Sequence, residues 1–219
     1  MRLPSRLGVY VVTSADLVPG RGHLEVARAA LRGGAGAIQL RAPELADGDL
    51  LPLARELAAT CGNAGALFVV NDRVDVALAA GADGAHLGQG DELERARDRL
   101  GPERVLGVSV ADPAQAAAAQ AAGADYLGVT VWPTGTKPEA IPVGLDGLRA
   151  VVAAAGVPVV AIGGIDERTA PPALAAGASG VAVVSAVGAA PDPEAATRRL
   201  VDVVKRTRTE AAASEEDVG

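Results

Sequence analysis

Four stretches of the chain repeat one short pattern between an Ala/Leu-rich segment and an apolar run: Gly-Gly-Ala-Gly-Ala (33–37), Ala-Gly-Ala-Asp-Gly (80–84), Ala-Gly-Ala-Asp-Tyr (122–126) and Ala-Gly-Ala-Ser-Gly (176–180). Glycine supplies the left-handed residue on which helices commonly stop, and the small residues after it turn straight into a strand. A chain that ends helix after helix in this way alternates α and β. Apolar runs predict strands over Gly8–Thr13, Ala37–Arg41, Leu67–Asn71, Gly84–Leu87, Val105–Ser109, Tyr126–Thr130, Val157–Ile162 and Gly180–Val184. Helical spacing falls between and after them, over His23–Arg32, Asp49–Cys61, Val74–Ala80, Glu92–Leu100, Pro113–Ala122, Gly144–Ala154, Glu167–Ala176 and Pro193–Arg206. Eight strands, each followed by a helix, is the count of a closed (β/α)8 TIM barrel, here a single domain over 1–206. An open doubly wound sheet is the alternative arrangement. Residues 207–219, short and acidic, read as a flexible tail.

Composition narrows the function classes. With 49% apolar residues but only 2% aromatics, the core is built from small aliphatic side chains, as tightly layered parallel strands require. A net charge of −7 leaves no basic face for nucleic acid. The lone Cys61 excludes an intramolecular disulfide and a cysteine-rich metal site. No stretch is long enough to span a bilayer and no signal peptide is recognisable, so the chain reads as a soluble cytoplasmic protein without membrane partners. Exposed Ala-rich helix faces would suit a homo-oligomer.

In such barrels chemistry gathers just past the strand C-termini. Phe68–Asp91 is one β-α-β unit with an acid beyond each strand, Asp72 and Asp91, which can meet at that rim. Two converging carboxylates repel unless a cation lies between them, so the pair is a candidate divalent-metal site. Helix capping by Asn71 or Asp72 is the bland alternative. Gln39 and Arg41 would face the barrel mouth, Arg41 as a planar cation suited to a phosphate. Ser109 is a candidate hydroxyl donor to an anion, or else a cap for the helix after it. The loop Trp132-Pro133-Thr134-Gly135-Thr136-Lys137-Pro138 sets two hydroxyls around a glycine and adds a cation, a compact donor set for phosphate that is not a Walker loop. Gly163-Gly164 and Val184-Ser185, after the last two strands, offer backbone amides and a hydroxyl to a second anion. His86 is either a core histidine or a barrel-lining hydrogen-bond donor, with no proton-transfer role assigned. His23 reads as structural.

In order, Gln39-Leu40-Arg41, Asn71-Asp72-Arg73, His86-Leu87-Gly88-Gln89 with Asp91, Gly107-Val108-Ser109, Asp125-Tyr126, Thr134-Gly135-Thr136-Lys137, Gly163-Gly164 and Val184-Ser185 resemble the thiamine-phosphate synthase family, over roughly residues 8–190. The resemblance implies a transferase that joins hydroxymethylpyrimidine diphosphate to a thiazole phosphate, releases pyrophosphate, and uses Mg2+. It implies that Asp72 and Asp91 hold the metal and that Gln39 orients the pyrimidine. Arg41, Asn71, Ser109 and Lys137 would hold the diphosphate, and Arg41, Ser109 and Lys137 would assist its departure. Thr134, Gly135, Thr136, Gly164, Val184 and Ser185 would take the thiazole phosphate. The chain departs from the family at Pro43, where a lysine usually adds a diphosphate contact. Two other readings stay open: a thiazole tautomerase-like isomerase, and a non-catalytic barrel that binds thiazole or thiamine phosphate for regulation.

Overall fold

The computed structural model describes residues 3–88, 90–138 and 140–216. Gln89, within the Gly88–Asp91 motif, and the end of the acidic tail, Asp217 included, lie outside them. The strands are β1 (Val9–Thr13), β2 (Ala37–Leu40), β3 (Leu67–Asn71), β4 (Gly84–Leu87), β5 (Val105–Ser109), β6 (Tyr126–Thr130), β7 (Val159–Ile162) and β8 (Gly180–Val183). Each pairs in parallel with its sequence neighbours, and β8 returns to β1, so the sheet closes. The expected (β/α)8 barrel is what forms. Its helices are α1 (Leu3–Arg6), α2 (His23–Arg32), α3 (Asp47–Ala64), α4 (Val74–Ala80), α5 (Leu93–Leu100), α6 (Pro113–Ala121), α7 (Gly144–Ala154), α8 (Ala170–Ala175), α9 (Ser185–Gly188) and α10 (Pro193–Glu216).

The repeat has a physical explanation. Its second residue, Gly34, Gly81, Gly123 or Gly177, sits at φ +96, +71, +87 or +96°. The alanine after it is buried and donates its N–H back into the last turn of the helix, Ala35 to Ala30, Ala82 to Ala77, Ala124 to Ala119 and Ala178 to Ala173. The fourth residue then donates to the strand before, as Asp83 does to Phe68 and Asp125 to Leu106. One motif therefore stops the helix and fixes the register of the next strand. Gly65-Ala66 at the end of α3 is a fifth copy, with Gly65 at φ +68° and Ala66 N–H bonded to the Cys61 carbonyl. The aspartates add a second tie: the Asp83 carboxylate accepts from Phe68 N–H and the Asp125 carboxylate from Leu106 N–H, both at 2.7 Å. Asp125 also accepts from Arg97 at 2.7 Å. It lies at the N-terminal end of its strand, away from the mouth, so its place in the sequence motif is accounted for by the fold. Asp125→Ala leaves the buried Leu106 amide and Arg97 without that acceptor and is expected to cost about 1–3 kcal/mol, read as a lower urea midpoint.

Two apolar layers result. The larger lies between strands and helices and contains Cys61. The smaller fills the barrel itself with Leu7, Tyr10, Val12, Ala37, Leu67, Val69, Tyr126, Val160 and Ala182. The start of the chain, α1 and Leu7, covers the N-terminal end of the barrel, since Leu7 is fully buried and Leu3 packs on the interior cluster.

Several expected boundaries shift, among them those of α3, which runs from Asp47 to Ala64, and β7, which begins at Val159. β2 stops at Leu40, so Arg41 stands on the loop beyond its strand. The segment expected as helix from Glu167 is an Asp166–Thr169 turn before α8, held by Thr169 and Arg168 N–H groups on the Asp166 carboxylate. The last helix, expected to end at Arg206, runs to Glu216. Thr207–Glu210 and the three alanines after them carry no helix breaker, so the segment read as a loose tail continues α10 at least that far. The short helices α1 and α9 were not anticipated.

Candidate active site

The C-terminal mouth of the barrel opens into a cavity of about 240 Å3. All eleven residues proposed from sequence for the two substrates line it: Gln39, Arg41, Asn71, Ser109, Thr134, Gly135, Thr136, Lys137, Gly164, Val184 and Ser185. They come from every strand end except those of β1 and β4, and pleat alternation explains the choice. Gln39, Asn71, Ser109 and Thr130 occupy the inward-facing positions of their strands, one step above the apolar interior layer. Arg41 and Lys137 are the cations in this lining. Pro43 is exposed and is not among the residues that line the cavity.

Asp72 and Asp91 line a shallower depression that adjoins the cavity, together with Asp47, Arg73 and Asp75. Asp72 adopts φ +60°, the one non-glycine residue with positive φ among the described residues. Its N–H donates to the His86 carbonyl at 2.9 Å, and Asn71 Nδ2 donates to its carboxylate at 2.6 Å. Aspartate is among the few non-glycine residues that tolerate this angle, and the two hydrogen bonds hold the residue in place. Desolvation first, then the Asp91 carboxylate, pushes the Asp72 carboxyl above its ordinary value, against the opposing pull of Lys137, the Asn71 hydrogen bond and Arg41. Asp72 thus feels the Asp91 carboxylate and the Lys137 and Arg41 cations together. Asp91 is tethered by Gly88 N–H donating to its carboxylate at 2.6 Å.

The bland alternatives fare unevenly. Neither Asn71 nor Asp72 caps α4 with its side chain, and Asp112, accepting from Gln115 N–H at 2.8 Å, caps α6 in place of Ser109. Arg73 and Asp75, at the start of α4, pair with Asp47 and Arg99. Gly163 and Gly164, at φ +80 and +63°, are needed for packing as well: a Cβ on Gly164 would sit 2.8 Å from that of Trp132. His23 is structural, between the Thr13 hydroxyl at 2.9 Å and Glu44 at 3.0 Å.

Sequence reasoning left His86 between core and barrel lining, and gave the two tyrosines of the cavity floor no role. Tyr10, Tyr126 and His86 line that floor. Tyr10 and Tyr126 meet edge to face at 6.1 Å, and His86 lies 5.5 Å from Tyr126. The chain's two tyrosines both lie on strands, at positions that only the closed sheet turns inward. Burial and the Lys137 charge push the His86 imidazole down to about 4, so it is neutral. Both its nitrogens are engaged, with Tyr126 and with Ser109, each at 2.9 Å. Cys61 is remote from the mouth, and burial, helped by the Asp83 carboxylate, pushes its thiol up to about 12. Among the described residues the cavity therefore offers no free base and no activated nucleophile; its lining carries the Arg41 and Lys137 cations and several hydroxyls, and the Asp72 and Asp91 carboxylates stand in the neighbouring depression.

The sequence model of one family, described as thiamine monophosphate synthase, matches residues 9–187. The chain belongs to that family. It is 51% identical over 203 residues to the thiamine-phosphate synthase of Moorella thermoacetica, covering 91% of this chain and 97% of that protein. It is 47% identical over 203 residues to the thiamine-phosphate synthase of Natronomonas pharaonis, covering 90% and 95%. Among solved structures, the thiamine phosphate pyrophosphorylase from Pyrococcus furiosus superposes with a TM-score of 0.87 at 40% identity, over 94% of this chain and 99% of that one. The resemblance read from the motifs stands, and with it the transferase class, thiamine-phosphate synthase. No helix among the described residues is long and apolar enough to cross a membrane.

Proposed function

We propose that this thiamine-phosphate synthase barrel joins hydroxymethylpyrimidine diphosphate to a thiazole phosphate by dissociative loss of diphosphate, with Mg2+ at Asp72 and Asp91. The observation that carries the reading is the single cavity in which Arg41, Asn71, Ser109 and Lys137 share a mouth with Thr134–Thr136, Gly164 and Ser185. The first set takes the diphosphate and the second the thiazole phosphate. The Thr134 and Thr136 hydroxyls lie 3.0 Å apart, close enough to grip one anion together.

The donor set at Asp72 and Asp91 fits Mg2+. Both side chains present hard carboxylate oxygens, and a cation between them would offset the desolvation and the Asp91 repulsion that together raise Asp72. Among the described residues no third His, Cys, Asp or Glu joins them, which suits an ion that completes its shell with water and phosphate oxygens. When bound, Mg2+ supplies positive charge to the departing diphosphate. Arg41 and Lys137 supply fixed charge to the same oxygens, and Ser109 and Asn71 add hydrogen bonds. The C–O bond of the pyrimidine methylene breaks with its electron pair leaving on the diphosphate. The thiazole nitrogen then donates its lone pair to the methylene carbon, forming the new C–N bond. No side-chain nucleophile or base is needed, in keeping with a neutral, doubly bonded His86. Gln39 orients the pyrimidine, and the second anion surface holds the acceptor in line, an effect worth at best about 7–11 kcal/mol.

Purified protein, both substrates and Mg2+ test the reading, with pyrophosphate and thiamine phosphate followed together. Equal release of both is the expected result. Isomerised thiazole without pyrophosphate selects the tautomerase, and binding without product selects the regulatory barrel.

A further inference from the structure

A continuous line of hydrogen bonds crosses the floor of the cavity. Gln39 Nε2 donates to the Tyr10 hydroxyl at 2.7 Å, and the Tyr10 and Tyr126 hydroxyls lie 2.9 Å apart. Tyr126 meets His86 Nδ1 at 2.9 Å, and His86 Nε2 meets the Ser109 hydroxyl at 2.9 Å. The line joins β2 to β5 through side chains of β1, β6 and β4. Each link carries one proton, so the direction chosen at one end propagates to the other. An amide nitrogen only donates. Tyr10, receiving from Gln39, donates to Tyr126, and Tyr126 donates to His86 Nδ1. The imidazole then carries its proton on Nε2 and donates to Ser109, whose own hydroxyl proton is left to point elsewhere.

We propose that Tyr10, Tyr126 and His86 are positioning residues forming a one-directional relay, by which the amide of Gln39 sets the His86 tautomer and turns the Ser109 proton toward a bound anion. Run the other way, Ser109 would donate to His86 and present only lone pairs to that anion. The space for the relay is reserved by two glycines whose φ does not require glycine. A Cβ on Gly107 would fall 2.2 Å from Tyr126 Cζ and 2.5 Å from His86 Nδ1, at the midpoint of the line, and one on Gly128 would fall 3.1 Å from His86 Cε1. Both tyrosines and Gln39 are buried, so water does not compete for the first two links; His86 and Ser109 are half-buried at the cavity wall. The consequence for Ser109 rests on the proposed placing of the diphosphate; the tautomer of His86 does not.

With two histidines in the chain, two-bond 1H–15N correlation on the full-length, 15N-histidine-labelled protein assigns the tautomer directly. The free enzyme is expected to hold His86 as Nε2–H; Nδ1–H overturns the relay. Gln39→Glu places at position 39 a carboxylate that only accepts. Read near pH 9, well above the ordinary glutamate value, it is expected to switch His86 to Nδ1–H, two tyrosines away. Retention of Nε2–H in a folded Gln39→Glu variant overturns the proposal, because a merely structural Gln39 would leave the imidazole unchanged. Binding of inorganic pyrophosphate with Mg2+ reads the far end. Ser109→Ala is expected to weaken it about tenfold in the wild-type background and about twofold or less beside Gln39→Glu. Equal losses in the two backgrounds overturn the relay. No loss in the wild-type background, with the tautomer switch intact, instead removes Ser109 from the diphosphate site.

Discussion

Asp72→Asn and Asp91→Asn each lower Mg2+-dependent condensation by a factor of about 10^2–10^3 or more while leaving the barrel folded. Asparagine is the right probe. At φ +60° it is tolerated where alanine costs about 1–2 kcal/mol, and at position 91 its carbonyl still accepts from Gly88 N–H. The stability effect has the opposite sign to the activity effect. The Asp72 carboxyl is pushed above its ordinary value by desolvation and by Asp91, so the metal-free fold is favoured below the ordinary aspartate range. That contribution is lost as pH rises through the raised value. Asp72→Asn removes the repulsion, so at neutral pH without Mg2+ it is expected to melt no lower than wild type. Condensation by the wild type should fall as pH drops through the Asp72 value, since protonation removes a metal ligand. Near-normal turnover in either variant removes the carboxylates from the reaction, and a lower metal-free melting midpoint for Asp72→Asn contradicts the repulsion.

Gly84→Ala and Gly180→Ala are expected to cost about 4 kcal/mol or more each, a large part of the stability of a domain this size. A Cβ at Gly84 would stand 1.8 Å from the Val105 carbonyl oxygen, and one at Gly180 1.8 Å from that of Leu7. Both obstacles are backbone, so no rotamer change relieves them, and the strands must part at the N-terminal end of the barrel. Gly62→Ala is the control. It lies within α3 with nothing within 4 Å of the added carbon, and exchanging glycine for alanine there is expected to stabilise by about 0.5–1 kcal/mol. Urea unfolding of the three variants compares them directly. A wild-type midpoint for Gly180→Ala would contradict a barrel end closed by the Leu7 segment.

These glycines mark the boundary of what the sequence reveals. Gly81 and Gly123 were legible because a left-handed stop is a local property, repeated with its alanine at each helix end. Gly84, Gly107 and Gly180 carry no local sign; each is glycine because a distant carbonyl or ring occupies the space where a side chain would be. The same division runs through the site. Asp72, Asp91, Arg41, Ser109, Lys137 and the Thr134–Thr136 loop could be picked out once parallel strands were expected, since polar residues just past apolar strands share one rim. Tyr10 and Tyr126 could not, because tyrosine in a strand looks like core until the closed sheet turns it inward beside a histidine. Local chemistry, helix stops and strand periodicity, determined the alternation and the count of eight strands, while the pairing of β8 with β1 closed the sheet. Long-range contact decided that Asp72 would feel Asp91 and that five side chains from five strands would share hydrogen bonds across the floor. Helix stops and strand faces are set by neighbours in the chain, whereas space and charge at one point are set by whatever the closed barrel brings there.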